Sequence, residues 1–440
     1  MSGKEWLKEQ AHTCEEQYFP LLERAVQTLE GNILEHCPAN ESLPSWMAKT
    51  PLDLTDAQRI MLPPWKPLRG ICPSVSHYPG VWNWDSAFHA MTVLRWDSNL
   101  AREQIDIFLR NQLASGLLVD ALFATGRIVD DFGKPPIMPW AAAFVGQQPG
   151  QTGWLGDVYQ AFVRYEQFWM RERGGHNDGL FHYYNSLESG WDQSPRFPPA
   201  EDDKRHGWPP ADGAPRIWPV DLNCYMVIFY RALARMCESA GAQTDETEWV
   251  EKEHRLADAI NERLFDETAG CYFDFDKQRL LVVDIMTPAS MMPLYIGIAR
   301  PERAERTLSL AIHRKLFPLL PTVDFRSPAY KSGNGSYSWS GPTWLNVAFF
   351  ALQAARRYAA EDMANEARAI LLDRCAAHSE IYECYDAKTG APLGAPHFGW
   401  SAAFVIEMLT GWQDHFLRWP CLKPTTTSTA TNEPATGGSI

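Results

Sequence analysis

Nowhere in the 440 residues is there an apolar run long enough to span a bilayer. The opening MSGKEWLKEQ is polar and charged, with no leader or anchor pattern, so the cytoplasm is the expected compartment. Positive charge is scarce: 40 basic against 54 acidic residues leave a formal charge of −14. Nucleic acid and anionic membrane are therefore not expected partners, because both reward clustered Lys and Arg. The 9 cysteines are scattered singly with no CxxC pair. Several, such as Cys224 and Cys237, sit in apolar stretches, which fits buried free thiols in reducing surroundings and not a disulfide framework. Also missing are HExxH, a close Cys/His cluster, GxSxG, a P-loop and a GxGxxG with its following acid. HNDGL at 176–180 lacks the spaced acids of an EF-hand loop and reads as a turn. No metal and no organic cofactor is expected.

What is present is material for a full-sized core. The apolar fraction is 45% and the charged fraction 21%, ordinary values for a globular chain that folds without staples. Tryptophan is the unusual abundance, with 18 residues. Part of that number belongs in a helical core. The rest is available as flat apolar platforms, which suit the C–H faces of sugar rings.

Apolar residues recur at spacings of three and four over most of the chain, as amphipathic helices require. The pattern predicts helices over 5–29, 84–96, 102–113, 155–173, 221–240, 248–264, 288–297, 301–314, 343–359, 362–378 and 400–409, with a further one at 138–145. Strands are few. Short links such as Asp97-Ser98-Asn99 alternate with long Pro-, Gly- and Trp-rich stretches at 71–83, 125–136, 174–217 and 319–341. Helices joined alternately by tight and long loops predict an all-α toroid with the elaborate loops on one face. No short internal repeat points to a solenoid. Residues 198–215 read as an exposed lid or insertion, and 423–440, with almost nothing to bury, as a disordered tail. Residues 1–422 are expected to form a single catalytic domain.

Four stretches concentrate chemistry. FHYYNSLESGWDQSPRF (181–197) places Glu188 and Asp192 four apart in an aromatic loop. A carboxyl buried against Trp191, Tyr183 and Tyr184 would hold its proton near neutral pH and serve as a general acid; equally, Asp192 would cap the Ser194-Pro195 turn. IYECYDAKTGAPLGAPHFGWSAAF (381–404) holds Glu383 between Tyr382 and Tyr385, ahead of a Thr389-Gly390 turn. There it is either a base for a water molecule or an exposed glutamate at a helix end. In GVWNWDSAFHAM (80–91), Asp85 is a helix N-cap or a partner for a sugar hydroxyl beside Trp82 and Trp84. YSWSGPTWLN (337–346) sets Trp339 and Trp344 on either side of a Gly341-Pro342 turn.

Taken together, these stretches resemble clan G of the glycoside hydrolases, which contains the family 37 trehalases and the family 63 α-glycosidases. ESGWD is shared with trehalases. SPR, the W-x-x-GP-x-W pattern, WNWDSAF and GKPPIMPWA (133–141) are closer to family 63. The resemblance runs from about residue 70 to 412. It implies an (α/α)6 barrel and hydrolysis with inversion, with the general acid on Asp192, the general base on Glu383, and roughly 6.5–9.5 Å between the two carboxyls for a water. It also implies a sugar-holding set: Trp82, Trp84, Asp85, Gln112, Lys134, Trp140, Trp191, Arg196, Arg216, Trp339, Gly341, Trp344 and Trp400.

The chain is expected to lack the extra β-rich N-terminal domain of larger members, since only some 70 residues precede the first motif. That is similar to compact members acting on mannosylglycerate or glucosylglycerate, so the expected partner is a small α-linked glucoside or mannoside. Lys204, Arg205, Arg196 and Arg216 are available near the insertion for an anionic aglycone, although surface charge explains most of them as well. Three other readings stand beside this one. A sugar 2-epimerase on the same toroid would need paired histidines among His89, His313, His378 and His397. A non-catalytic carbohydrate-binding protein would not need both Asp192 and Glu383, and a phosphorylase would dispense with the base.

Overall fold

The computed structural model describes residues 1–35, 68–123, 127–148, 150–174, 179–198, 212–331 and 338–415. Among these, six helical segments are apolar nearly all round and form an inner ring. They are α3 (Asn83–Val93), α5 (Met138–Gly146), α7 (Val220–Met236), α9 (Met292–Tyr295, continuing a 3-10 turn over Pro288–Met291), α11 (Leu345–Arg357) and α13 (Gly399–Thr410). Every residue of α3 and α5 is buried, as a helix enclosed on all sides demands.

The outer ring alternates with the inner one along the chain: α2 (Phe19–Gly31), α4 (Ser98–Arg110), α6 (Thr152–Glu172), α8 (Gln243–Arg263), α10 (Pro301–His313) and α12 (Glu361–Ala376). These bury a single stripe. In α8 it is Trp249, Glu253, Leu256 and Ile260, spaced by three and four. Consecutive inner helices pack in chain order, and α13 returns to α3, which closes an (α/α)6 toroid.

Connections after inner helices are short, at 94–97, 147–151, 237–242, 296–300 and 358–360. Those before inner helices are long, at 111–137, 173–219, 264–287, 314–344 and 377–398. The long loops therefore all emerge on the face where the inner helices begin. That face also carries small antiparallel sheets: β1 (Ile33–Leu34) pairs with β2 (Gly70–Ile71), and β7 (Phe265–Asp266) with β8 (Cys271–Tyr272). β3 (Gly80–Trp82) pairs with β4 (Ala121–Phe123), which pairs with β5 (Ile128–Val129); β6 (Ile217–Trp218) pairs with β9 (Phe275–Asp276), which pairs with β10 (Leu281–Val282). β11 (Tyr382–Tyr385) and β12 (Pro392–Pro396) form a hairpin. Thr343 and Tyr385 exchange backbone hydrogen bonds of 2.8 and 3.0 Å, tying that hairpin to the loop before α11.

Several local expectations need correction. The 5–29 segment is two helices, α1 (Gly3–Gln10) and α2, because Pro20 occupies the first turn of the second and fits a helix only there. The 288–297 segment divides into a 3-10 turn over Pro288–Met291 and a very short α9, with Pro293 in the first turn of the latter. Asp85 is not an N-cap; Trp82 takes that position and Asp85 lies inside the first turn of α3. Of the expected insertion, residues 199–211 lie outside the described residues, as do Lys204 and Arg205 and the 423–440 tail. No helix among the described residues is long and apolar enough to cross a membrane.

Candidate active site

Asp192 stands on a tight, strained turn. Gly190 has φ +73°, and a Cβ there would lie 2.5 Å from the Trp84 ring, so the backbone must press directly on that indole. Gln193 is left-handed as well, with φ +59°, an unusual conformation for a side-chain-bearing residue. Glu188 anchors the turn from beneath. Its carboxylate accepts from Arg173 Nε and Nη2 at 2.8 and 2.9 Å, from the Tyr184 amide at 2.6 Å and from the Gly133 amide at 3.3 Å. A fully buried carboxylate so completely bonded holds the loop and has no capacity left for proton transfer. The Asp192 carbonyl accepts from the Trp339 amide at 3.2 Å, which joins the turn to the loop before α11.

Asp192 is exposed to solvent, yet protein surrounds its carboxyl closely enough for desolvation to raise its pKa, against the opposing pull of Lys134. Asp192 is thus reachable from solvent while its carboxyl is closely lined by protein.

Glu383 is buried on β11. Desolvation is the largest influence on it and raises its pKa to about 7; the Ala395 amide, donating to Oε2 at 2.9 Å, opposes this, and the charge of Asp192 adds to it. Tyr78 Oη reaches the same oxygen at 3.4 Å. Ser401 in the first turn of α13 donates to the Glu383 carbonyl at 3.1 Å and fixes the strand.

Two more acids share the pocket. Asp85 has a pKa raised well above its usual range by burial, with Lys134 opposing and Asp120 and Glu383 adding to the rise. Asp120 is pushed up to about 7, mainly by burial. Lys134 Nζ pairs with Asp120 Oδ1 at 3.4 Å and donates to the Leu187 carbonyl at 2.5 Å.

Five indoles form a continuous wall beside these groups. Trp339 stacks on Trp344 at 4.1 Å between ring centroids and lies 4.8 Å from Trp191. Trp400 meets Trp84 edge-on at 5.1 Å and Trp344 at 5.6 Å. Trp82 lies off this wall, edge-on to Tyr78 at 5.7 Å and to Phe123 at 5.2 Å. Buried polar atoms here have no partner among the described residues: Nε1 of Trp191, Trp344 and Trp400, Asp85 Oδ1, and both side-chain polar atoms of Asn346. Unmet donors and acceptors are costly, and a polyhydroxylated ligand can satisfy them.

Of the expected set, Asp85, Lys134, Asp192, Glu383 and the five wall tryptophans come together. Others do not. Gln112 is wholly buried, its amide donating to the Gly116 and Ala161 carbonyls at 2.9 and 2.8 Å, so it ties a loop to α6. Arg196 lies behind Trp191, its guanidinium 4.5 Å from that ring and divided between Asp221 and Asp274; it braces the wall. Arg216 pairs with Asp276 at 3.0 Å, beside the β6–β9 sheet. Trp140 packs in the barrel core against Tyr295 and Phe350. Gly341 is required because a Cβ would run into the Lys331 carbonyl, a packing reason and not a ligand contact. Asp120, Tyr78 and Asn346 were not anticipated. Tyr78 had an aromatic neighbourhood as a signal, whereas Asp120 had none.

The histidines that an epimerase would pair are on separate elements with separate partners. His313 contacts Arg326 and His378 the Gly390 carbonyl; His397 contacts Glu380, and His89 is buried on α3 against Gly399 of α13.

Paired carboxyls of raised pKa beside an indole wall, on the loop face of an (α/α)6 ring, define the class as a glycoside hydrolase. A family model described as the mannosylglycerate hydrolase MGH1-like glycoside hydrolase domain matches residues 78–401, and the chain belongs to that family. It is 21% identical over 412 residues to a mannosylglycerate hydrolase of Rubrobacter radiotolerans, covering 77% of this chain and 92% of the relative. It is 29% identical over 235 residues to a periplasmic trehalase of Pseudomonas aeruginosa, covering 50% of this chain and 41% of the trehalase. The crystal structure of a family 63 mannosylglycerate hydrolase from Thermus thermophilus, in complex with Tris and D-glycerate, superposes with a TM-score of 0.69. The two are 22% identical, covering 88% of this chain and 99% of that one.

Proposed function

We propose that this glycoside hydrolase cleaves a small α-linked mannoside or glucoside with inversion, Asp192 acting as general acid and Glu383 as general base. The observation that carries the reading is the pairing itself. Two carboxyls come from different loops, one before α7 and one before α13; burial raises the pKa of both, and the charge of Asp192 adds to the rise at Glu383. In the reaction, protonated Asp192 gives its proton to the glycosidic oxygen as the bond to the anomeric carbon breaks. Ionised Glu383 takes a proton from a water that attacks that carbon from the opposite face. The α-linked sugar is released as its β-anomer.

Mannosylglycerate is the first-choice substrate, glucosylglycerate the second. The family and the Rubrobacter relative support the choice, as does the D-glycerate held by the Thermus structure. Trehalose is the alternative that the Pseudomonas relative favours. We further propose that the ring is one catalytic domain. Seven buried free cysteines among the described residues support a reducing, cytoplasmic setting.

The test is hydrolysis of mannosylglycerate, glucosylglycerate, trehalose, kojibiose and nigerose, with the first-formed anomer followed by NMR and Asp192→Ala and Glu383→Ala alongside. Release of β-sugar, lost in both variants, is expected. First formation of the α-anomer would sink the inverting assignment.

A further inference from the structure

A carboxyl closely surrounded by protein holds its proton to high pH, as burial does for Asp192, and a proton held too tightly is a poor one to transfer. Around the pocket stand Asp85 from α3, Asp120 from the loop before α5, Glu383 from β11 and Glu188, which Arg173 already neutralises. Arg196 is turned to Asp221 and Asp274 behind Trp191. The cation that acts on Asp192 itself is Lys134.

Lys134 is held firmly. Asp120 grips its ammonium from one side, and the Leu187 carbonyl accepts its proton from the other. That carbonyl also accepts from the Gly190 amide at 3.1 Å, within the turn that carries Asp192. The neighbouring Gly133 amide bonds Glu188 in the same turn. Residues 133 and 134 thus grip the acid's turn at two consecutive positions.

We propose that Lys134, held by Asp120, is a positioning residue for the proton donor: its ammonium sets the upper pH limit of catalysis, and its bond to Leu187 sets the turn on which Asp192 stands. The inference rests on Asp192 being the general acid. Asp120 completes the device, because an uncompensated ammonium would oppose the positive charge that develops on the sugar.

The experiment compares kcat/KM against pH for wild type, Lys134→Met, Lys134→Arg and Asp120→Asn. Two substrates are used, the preferred glycoside and the matching α-glycosyl fluoride, whose leaving group needs no proton. Lys134→Met should move the upper limb with the glycoside upward by about one pH unit or more. Its rate at neutral pH should fall by about tenfold or more. With the fluoride it should lose far less than with the glycoside. Lys134→Arg should keep the wild-type limb, and Asp120→Asn, freeing the ammonium to favour ionised Asp192, should lower it. An unchanged upper limb in Lys134→Met, or equal losses on both substrates, overturns the inference. If Lys134→Met does not fold, Lys134→Gln takes its place under the same criteria: an upward shift of the limb supports the inference and an unchanged limb overturns it. Failure of the functional reading looks different, since Asp192→Ala would then keep full activity on the glycoside.

Discussion

Gly394 and Glu383 touch across the β11–β12 hairpin. Gly394 adopts φ +73°, and a Cβ on it would collide with the carboxylate oxygen that accepts from the next amide, Ala395. Only glycine lets the hairpin close on the proposed base. Gly394→Ala should therefore cost about 1–2 kcal/mol of stability through its left-handed backbone. Displacing the carboxylate should also lower kcat by about a hundredfold or more. Thermal melting and steady-state kinetics separate the two effects; a variant with unchanged kcat would show that the hairpin does not hold Glu383 in place.

Burial that tunes the site also makes stability depend on pH. Glu383 rises from an ordinary 4.5 to about 7 and Asp120 from 3.8 to about 7. A folded state that binds these protons more tightly is favoured by them most fully below the ordinary values, and the advantage is lost as pH rises through about 7. The melting temperature should fall between pH 5 and pH 8, each of the two groups withdrawing up to about 1.4 kcal/mol of stability per pH step. Glu383→Gln should flatten that slope and melt higher than wild type at pH 8, while abolishing activity. A steeper slope in the variant would contradict the assignment.

Activity runs the other way on the same group. A base must be ionised, so kcat/KM should fall as pH drops through about 7, the value of Glu383. Below about pH 7 the protein is expected to gain stability as it loses activity, and a pH-rate profile set beside a pH-melting profile checks this directly.

Glu188 is next to the chemistry in sequence but serves the scaffold. Removing it by Glu188→Ala leaves Arg173 buried without its partner and should cost about 3–5 kcal/mol. Adding Arg173→Met to Glu188→Leu should recover much of that loss in a denaturant titration, as expected when a buried ion pair is replaced as a whole. No recovery would mean that the amides of Tyr184 and Gly133 depend on the carboxylate more than Arg173 does.

Trp339 is packed on Trp344 and Trp191 together. Trp339→Ala should destabilise by about 3–5 kcal/mol and raise KM. Trp339→Phe, keeping an aromatic face, should do less of both, and a wild-type KM in the alanine variant would remove the indole wall from substrate binding.

The toroid was legible because helical periodicity is local: α4, α6, α8 and α12 each show their stripe, and short and long links alternate openly along the chain. The break between α1 and α2 was written in Pro20, which periodicity alone passes over. Asp192 and Glu383 stand out in the sequence as motif positions, and the structure adds surroundings that no motif contains. Arg196 directly follows the ESGWDQSP stretch and reads as a sugar ligand until Asp221 and Asp274, far along the chain, claim its guanidinium. Asp120 carries no pattern at all, since what matters is an ion pair between two positions of one irregular loop. Gln112 and Trp140 fall in apparent motif neighbourhoods and point elsewhere, one bonded across to α6 and the other turned into the core from α5, through contacts that no short window contains.

The closure of α13 onto α3 sets an order on how the molecule comes into being. The turn bearing Asp192 is synthesised near the middle of the chain, but Glu383 and Trp400 belong to the last hairpin and the last inner helix. Near the seam, Tyr18 bonds Asp373 at 2.7 Å and Arg24 bonds the His378 carbonyl at 2.6 Å, so early residues wait for late ones. A growing polypeptide has half a pocket until its final turns emerge from the ribosome. The proposed catalytic centre is thus among the last parts to be assembled, and an unfinished copy carries the proposed acid without the proposed base.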